Sequence, residues 1–171
     1  VSTREKPVVQ PEAATVNLRV GGEHKGPDLD QNAKKTYVGE GATIKADATT
    51  SGDGGKVIVW ADETTQYYGN ISATGGANSG NGGFAEVSGK QNLDFQGTAD
   101  LTAANGELGS LLLDPTNIIV AIGGASAAAD VDAFADPGGT LTVAPATLDG
   151  VGGNVTLQAT NDITFTDALN L

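Results

Sequence analysis

Several residue types are missing or scarce in this chain of 171 residues. There is no cysteine, which excludes disulfides and thiolate metal sites. There is no methionine either, and because the chain begins at Val1 we expect a processed or excised piece. Four phenylalanines, three tyrosines and one tryptophan stand against 25 glycines. This balance argues against a helix bundle and favours many short strands joined by tight turns.

Long apolar runs and positive charge are also scarce. No apolar run approaches the roughly 20 residues that a membrane-spanning helix needs, and no signal-peptide pattern stands at the start. Residues 1–60 carry eight basic and eight acidic side chains, whereas residues 61–171 carry Lys90 and 13 acids. Such an acidic surface repels phosphate backbones, so we expect no nucleic-acid partner and a well-solvated surface. Loose binding of divalent cations is the alternative role for these acids.

What the chain has in abundance is a repeated octet that begins with a glycine step. Copies of the octet occupy residues 54–61, 82–89, 108–115, 138–145 and 152–159, and a weaker copy occupies 14–22. The interval between the last two copies is about half as long as the intervals before it. Further strand-like runs lie at 42–48, 67–73, 93–103, 117–122 and 162–169. Periods of this size with β-type content indicate stacked repeats, although the short last interval predicts that the final copy, at 152–159, is one side of a coil rather than a new coil.

Apolar and polar residues alternate within the octets. In the last copy, Val155 and Leu157 alternate with Thr156 and Gln158, which places the two sets on opposite faces of a strand. One strand cannot cover its apolar face alone, but equivalent strands stacked about 4.8 Å apart would form continuous aliphatic columns. We therefore predict an all-β parallel β-helix (β-solenoid) over residues 14–171. An immunoglobulin-like sandwich is the alternative, although two-residue hairpin turns are scarce.

Two segments depart from this pattern. Residues 1–13 contain two prolines and mixed charge, which is typical of an extended linker or arm. Residues 123–139 are rich in alanine and are predicted to be an inserted loop, in which Ser126 caps a short helix that ends before Pro137. Strand-like sequence continues to Leu171 without a polar cap. Exposed sheet edges invite pairing, so we expect further coils beyond that point or self-association through the solenoid ends.

Several longer motifs occur in one order along the chain, namely "GGKVIVWAD", "YGNISATGG", "GNGGFAEVSGK" and "LLLDPTNI". Over residues 16–171 the chain resembles the filamentous-haemagglutinin-like adhesins, which are large exoproteins of bacterial two-partner secretion. The segment "GGNVTLQATNDITFTDALNL" is similar to the haemagglutinin repeats of those proteins. The resemblance implies a right-handed β-helical shaft, exported through an outer-membrane transporter to the cell surface or medium, with roles in adhesion, biofilm or cell contact. The secretion-domain signature is absent, so transporter recognition is not assigned to these residues.

Few residues are candidates for chemistry. His24 is the only histidine, which excludes a His-based triad partnered elsewhere in the chain, and a solvated role is expected for it. Trp60 could stack on a sugar, although packing is the favoured interpretation. No catalytic or cofactor-binding residue is expected.

Acidic and asparagine motifs give the remaining candidates. Two acidic groups have oxygen-rich spacing that suits calcium: Asp47, Asp53, Asp62 and Glu63, and the weak candidates Asp130, Asp132 and Asp136. Neither matches an EF-hand loop or the nonapeptide of calcium-binding β-rolls, so incidental acidity is favoured. Asn70 and Asn154 stand in glycosylation sequons, although such sequons also arise by chance in a chain of this composition.

Three functions remain open. The preferred one is a non-catalytic structural or adhesive shaft segment of a secreted surface exoprotein, assembling end to end into fibres. A polysaccharide-active enzyme is the second, because such enzymes also use parallel β-helices. It is disfavoured because no basic residue follows Lys90 and no isolated carboxylate pair stands out. A module that binds calcium, carbohydrate or ice is the third, although the threonines do not recur in the register that ice binding would need.

Overall fold

The computed structural model describes residues 17–20, 33–121 and 140–167, and the first of these ranges only as backbone. Short strands account for most of the regular structure. The described elements are β1 (Asn17–Val20), β2 (Lys35–Val38), β3 (Thr43–Lys45), β4 (Lys56–Ala61), β5 (Thr64–Tyr67), β6 (Asn70–Ser72), β7 (Phe84–Gly89), β8 (Asn92–Phe95), β9 (Thr98–Asp100), β10 (Ser110–Leu113), β11 (Asn117–Val120), β12 (Thr140–Val143), α1 (Pro145–Asp149), β13 (Asn154–Leu157) and β14 (Ile163–Phe165). The expected all-β class is confirmed.

Every strand pairing among the described residues is parallel. One sheet has five strands in the order β1-β4-β7-β10-β13. Three further sheets have three strands each, in the orders β2-β5-β8, β3-β6-β9 and β12-β11-β14. An immunoglobulin-like sandwich needs antiparallel strands, so that alternative is wrong.

The five-stranded sheet reproduces the sequence repeat in its register. Val57 pairs with Ala85, Ala85 pairs with Leu111, and Leu111 pairs with Val155. Each of these residues is the fourth of its octet, so the strands align as the octets do in the sequence. The weak first copy is confirmed as a strand, because Leu18 pairs with Val57. Four octets and the weak copy therefore lie side by side in one sheet.

One octet does not follow that alignment. Its strand, β12, pairs with β11 in a different sheet, so the prediction that residues 138–145 stack on the other octets is wrong. β12 buries its second and fourth residues, as β10 does, and a glycine step precedes it in the sequence, so local pattern alone does not separate this octet from the others. The short interval between the last two octets therefore separates strands of two different sheets. The final octet, predicted to be one side of a coil, instead continues the five-stranded sheet, because β13 pairs with β10.

The inward side chains of the strands form one continuous core. Val57, Val59, Val87 and Leu111 are fully buried, and the Tyr67 ring stacks on the Phe95 ring with 5.7 Å between centroids. Each such side chain stabilises the fold by about 1.5–3 kcal/mol through removal of apolar surface from water. The core opens at the last described strand, where Ile163 and Phe165 are 40% and 54% exposed.

Glycine steps and buried threonines shape the corners between sheets. A Cβ atom on Gly83 would collide with the carbonyl oxygen of Gly55 in the neighbouring repeat, so the close backbone approach requires glycine. The Thr36 hydroxyl donates to the Trp60 carbonyl at 2.8 Å. One repeat later the Thr65 hydroxyl donates to the Ser88 carbonyl at 2.6 Å. These bonds tie successive repeats together.

The described helix lies outside the segment where one was predicted. α1 begins with Pro145 at its first turn and ends at Asp149, with Gly150 following, and Leu148 is its buried residue. The arm at residues 1–13 and the inserted loop at 123–139, with its Ser126 cap, lie outside the described residues. Within the described ranges, no helix is long and apolar enough to cross a membrane.

Candidate functional site

A shallow open groove of about 380 Å³ crosses the glycine corners of three successive repeats. Equivalent stretches line it, namely residues 53–56, 81–84 and 107–110. Each stretch brings a polar residue, a glycine step with Leu108 replacing one glycine, and the first residue of a strand. The groove is therefore built by the sequence repeat itself, with different side chains at equivalent positions.

One wall of the groove is a ladder of hydrogen bonds between repeats. The Asn81 amide donates to Asp53 Oδ1 at 2.7 Å, and the Glu107 amide donates to Asn81 Oδ1 at 2.9 Å. The glycine amides bond in the opposite sense, from Gly54 to the Asn81 carbonyl and from Gly82 to the Glu107 carbonyl, both at 2.8 Å. These polar atoms hold adjacent corners together, so most of the wall already has a structural role.

The opposite wall is formed by side chains that are not part of this ladder of hydrogen bonds. The Lys56 ammonium lies 5.4 Å from the centre of the Phe84 ring, within cation–π range. Leu108 is 50% exposed, and the Glu107 side chain is exposed beside it. An aromatic ring, an aliphatic side chain and flanking polar groups are a combination that suits binding of a small polar ligand with an apolar face. Asp53 and Glu107 are both exposed, and among the described residues no buried acid–base pair faces this groove.

A second polar cluster surrounds Asp47. Its Oδ1 accepts hydrogen bonds from the Ser72 hydroxyl at 2.6 Å, the Thr74 amide at 2.9 Å and the Thr74 hydroxyl at 3.2 Å. Burial alone would raise the pKa of Asp47, but these donors, with Lys45 nearby, outweigh it and lower the pKa below its ordinary value. On another repeat, Asp100 Oδ1 accepts from the amide and the hydroxyl of Thr102. Both carboxylates are therefore held by donors of the protein.

A third cluster contains two tyrosines on the outer side of β2, β5 and β8. The Tyr37 and Tyr68 rings meet edge to face with 5.7 Å between centroids, and the Tyr68 hydroxyl donates to Asp94 Oδ2 at 2.7 Å. Burial, this hydrogen bond and the negative charge of Asp94 all raise the pKa of Tyr68 above its ordinary value. Tyr68 therefore stays neutral and acts as a donor.

The structure separates the first predicted calcium group. Asp47 contacts Ser72 and Thr74, Asp53 contacts the Asn81 amide, Asp62 lies 3.4 Å from the Trp60 indole nitrogen, and Glu63 pairs with Lys34. No set of three or more metal-ligating side chains converges in the part of the chain that the structure describes. The second group, Asp130, Asp132 and Asp136, and also His24, fall outside that part.

The tryptophan and the two sequon asparagines lie in different surroundings. Trp60 is 3% exposed, which confirms the packing interpretation and leaves no free ring face for a sugar. Asn70 and Asn154 are both exposed. Asn70 Oδ1 accepts a 2.6 Å bond from the Thr98 hydroxyl, and the Ser72 hydroxyl of its sequon is bonded to Asp47. Glycosylation at Asn70 and Asn154 stays a prediction.

The groove and the tyrosine cluster were not foreseen from the sequence. The signal for the groove was present, because a polar residue precedes each glycine step at Asp53 and Asn81, and Glu107 holds the same place. No comparable signal marked the tyrosine cluster, whose members come from different repeats. No protein-family model matches the chain, and a search of curated proteins found no significant match.

Proposed function

We propose that the chain is a non-catalytic structural and adhesive segment of a secreted bacterial surface exoprotein. In this proposal the parallel sheets are the sides of one right-handed β-solenoid, which forms a rod-like shaft. The observation that carries the proposal is the shared register of β1, β4, β7, β10 and β13 in one parallel sheet. A repeat that adds one strand per period to each side is how shafts extend.

The chemistry of the surface supports a structural role. The polar atoms of the groove wall and of the Asp47 cluster bond to neighbouring repeats, so they stabilise the stack. Catalysis on polysaccharides would need two carboxyl groups placed around a substrate, with one of them protonated. A turnover assay on polyuronides with calcium tests the enzyme alternative, and detectable product would overturn the non-catalytic proposal.

The partners follow from the same proposal. Export uses an outer-membrane transporter of the two-partner type, which acts on the parent protein, and the final location is the cell surface or the medium. Self-association end to end is supported by Ile163 and Phe165, which continue the inward columns of Ile118 and Val120 yet remain exposed. An exposed apolar end with open strand edges favours addition of another strand layer.

Electron microscopy and sedimentation test the shaft and its assembly together. The expected result is elongated particles that lengthen with protein concentration, and a shift to single particles in Phe165→Asp. The matched control is Leu108→Asp, which changes an exposed apolar residue away from that end and should leave the lengthening unchanged. Globular particles at every concentration would contradict the shaft, whereas short rods that never lengthen would contradict the assembly alone.

Carbohydrate binding is a second candidate, and the groove favours it. Phe84 offers a partly exposed ring, and Lys56, Asn81 and Ser110 offer donors around it. Titration with neutral oligosaccharides, followed by NMR, should perturb the residues of the groove in the intact chain and not in Phe84→Ala. Tyr37→Ala, which removes an exposed ring on another sheet, should behave like the intact chain. Equal binding by all three proteins would contradict a site at the groove.

A further inference from the structure

The strand order is regular in three sheets and irregular in one. In the orders β2-β5-β8, β3-β6-β9 and β1-β4-β7-β10-β13, each strand lies beside the next one along the chain from the same side. The fourth sheet has the order β12-β11-β14, and β12 also packs beside β8. The strand next to β8 is thus β12, although β11 lies between β8 and β12 in the sequence.

β11 and β12 bury side chains of similar size at equivalent positions. Leu141 and Val143 of β12 point inward at the positions where Ile118 and Val120 of β11 point inward, and all four are at most 1% exposed. Both strands have four residues, and their second and fourth residues are the buried ones. At the first inward position the two strands differ only as leucine and isoleucine, and at the second both have valine, so the buried volume is the same. Either strand therefore fits beside β8 with little packing cost.

The corner before β11 already sits directly over the preceding repeat. The Thr116 hydroxyl donates to the Lys90 carbonyl at 3.0 Å, and Lys90 occupies the equivalent corner before β8. The corner that precedes β11 therefore contacts the repeat that contains β8. β11 itself nevertheless lies one strand further from β8 than β12 does. Moving β11 beside β8 requires a displacement of one strand spacing, about 4.8 Å.

Pairing to later residues holds β11 in its described position. The Ile118 amide donates to the Asp162 carbonyl at 2.9 Å, and the Thr166 amide donates to the Val120 carbonyl at 3.0 Å. After β12 the chain is fixed by the Leu101 amide, which donates to the Gly152 carbonyl at 2.9 Å. These contacts need residues that follow β12, so none of them can form while the chain beyond β11 is still unfolded.

We propose that the edge of β8 is a strand-exchange site with two occupants. β11 pairs with β8 first, because it lies closer in sequence and shorter loops close at a lower entropic cost. β12 then enters between them, and the pairing of β11 with β14 completes the described order. While β11 holds the site, the apolar side chains Leu141 and Val143 of β12 are unpaired, which makes this arrangement the one most prone to association with a second copy.

Cysteine pairs in the otherwise cysteine-free chain can distinguish the two arrangements. The third residue of each strand points outward, so Asp94→Cys is combined with Thr142→Cys on β12 or with Ile119→Cys on β11. Each full-length variant is refolded from denaturant and treated at successive times with dibromobimane, which bridges thiols only at close range. The matched control pairs Asp94→Cys with Thr164→Cys on β14, which is not beside β8 in either arrangement.

The expected result is a transient maximum of the bridge between positions 94 and 119, followed by its loss as the bridge between 94 and 142 grows. A bridge between 94 and 119 that never exceeds the control pair would overturn the proposal. A second variant, Leu141→Asp, places a carboxylate at an inward position of β12. It should turn the transient bridge into a lasting one while Trp60, which lies on β4, keeps its buried fluorescence. Loss of the bridge with Trp60 still buried would also overturn the proposal.

Discussion

Tyr67 and Tyr68 are adjacent in the chain but place their hydroxyl groups in opposite situations. Tyr67 is fully buried and stacked on Phe95, and its hydroxyl finds no hydrogen-bond partner among the described residues. Burial raises the pKa of Tyr67 above its ordinary value, because a buried phenolate would lose its hydration. Tyr68 instead donates to Asp94. The Tyr67 hydroxyl is therefore a buried polar group whose desolvation no hydrogen bond from the described residues offsets.

Tyr67→Phe is expected to stabilise the protein. Removing an unpaired buried hydroxyl relieves a desolvation cost of about 1 kcal/mol, and the ring stack is kept. Tyr68→Phe is the matched control and should lower the free energy of unfolding by about 1 kcal/mol, because it removes a hydrogen bond. Urea unfolding followed by circular dichroism measures both. A destabilised Tyr67→Phe would show that its hydroxyl has a partner in solution.

Asp47 should give the protein part of its stability against acid. Its pKa is lowered in the folded state, so the carboxylate stabilises the fold above its unfolded pKa of about 3.8. That stability is lost as the pH falls from about 4 through the lower folded pKa. Asp47→Asn should therefore flatten the decline of the unfolding free energy between about pH 5 and pH 2, and Ser72→Ala, which removes one donor, should flatten it partly. Parallel slopes in all three proteins would contradict this role.

At the scale of elements, the glycine steps decide how closely neighbouring repeats approach. Gly83 begins the corner before β7, and an added Cβ would meet the Gly55 carbonyl and lie 2.8 Å from the Ala73 Cβ. Gly41, in the turn before β3, has nothing within 4 Å of the same added atom. Alanine substitutions at Gly83 and Gly41 thus add the same methyl group to a crowded position and to an open one.

Gly83→Ala should lower the free energy of unfolding by about 2 kcal/mol or more, because the backbone of two repeats must separate. Gly41→Ala should change it by at most about 0.5 kcal/mol, as an exposed position in open space does. Both are measured by urea unfolding with the slope held common. Equal effects of the two changes would mean that the repeats approach less closely in solution than in the structure.

The sequence predicts the elements whose inward residues are all apolar. The register of β4, β7 and β10 follows from the octets, because the fourth and sixth residues of each of these octets are aliphatic and buried. β2 and β5 were missed, since Thr36 and Thr65 point inward and interrupt the apolar pattern. Their hydroxyls bond to the Trp60 and Ser88 carbonyls, near the ends of β4 and β7 in the next repeat, and no local pattern reveals these partners.

Neither α1 nor the position of β12 could be predicted from local sequence patterns, and the two reasons differ. α1 has a proline at its first turn and a glycine after its end, but its five residues are too few to show a helical period. The position of β12 depends on which of two similar strands fills the place beside β8, and that choice is made by distant pairings. The groove follows from stacking, so it could be predicted only after the register was known.

At the scale of the whole molecule, the charged residues are distributed unevenly along the chain. The chain has a net charge of −12, and residues 61–171 contribute 13 acids and one lysine. Asp149 and Asp162, from the last described repeats, are exposed, and no basic residue follows Lys90. Folding confines this excess of negative charge to a compact molecule, so the mutual repulsion of the acids opposes folding and is reduced by salt.

The midpoint of thermal unfolding should therefore rise between about 10 mM and about 300 mM NaCl, because the screening length falls from roughly 30 Å to below 8 Å. Magnesium chloride and calcium chloride at the same ionic strength separate screening from binding. If Asp130, Asp132 and Asp136 bind calcium, the midpoint in calcium exceeds that in magnesium, and Asp132→Asn removes the difference. Screening alone predicts equal midpoints in the two salts. A midpoint that stays constant or falls with NaCl would contradict the repulsion, since the acids would then have to be paired or well separated in the folded molecule.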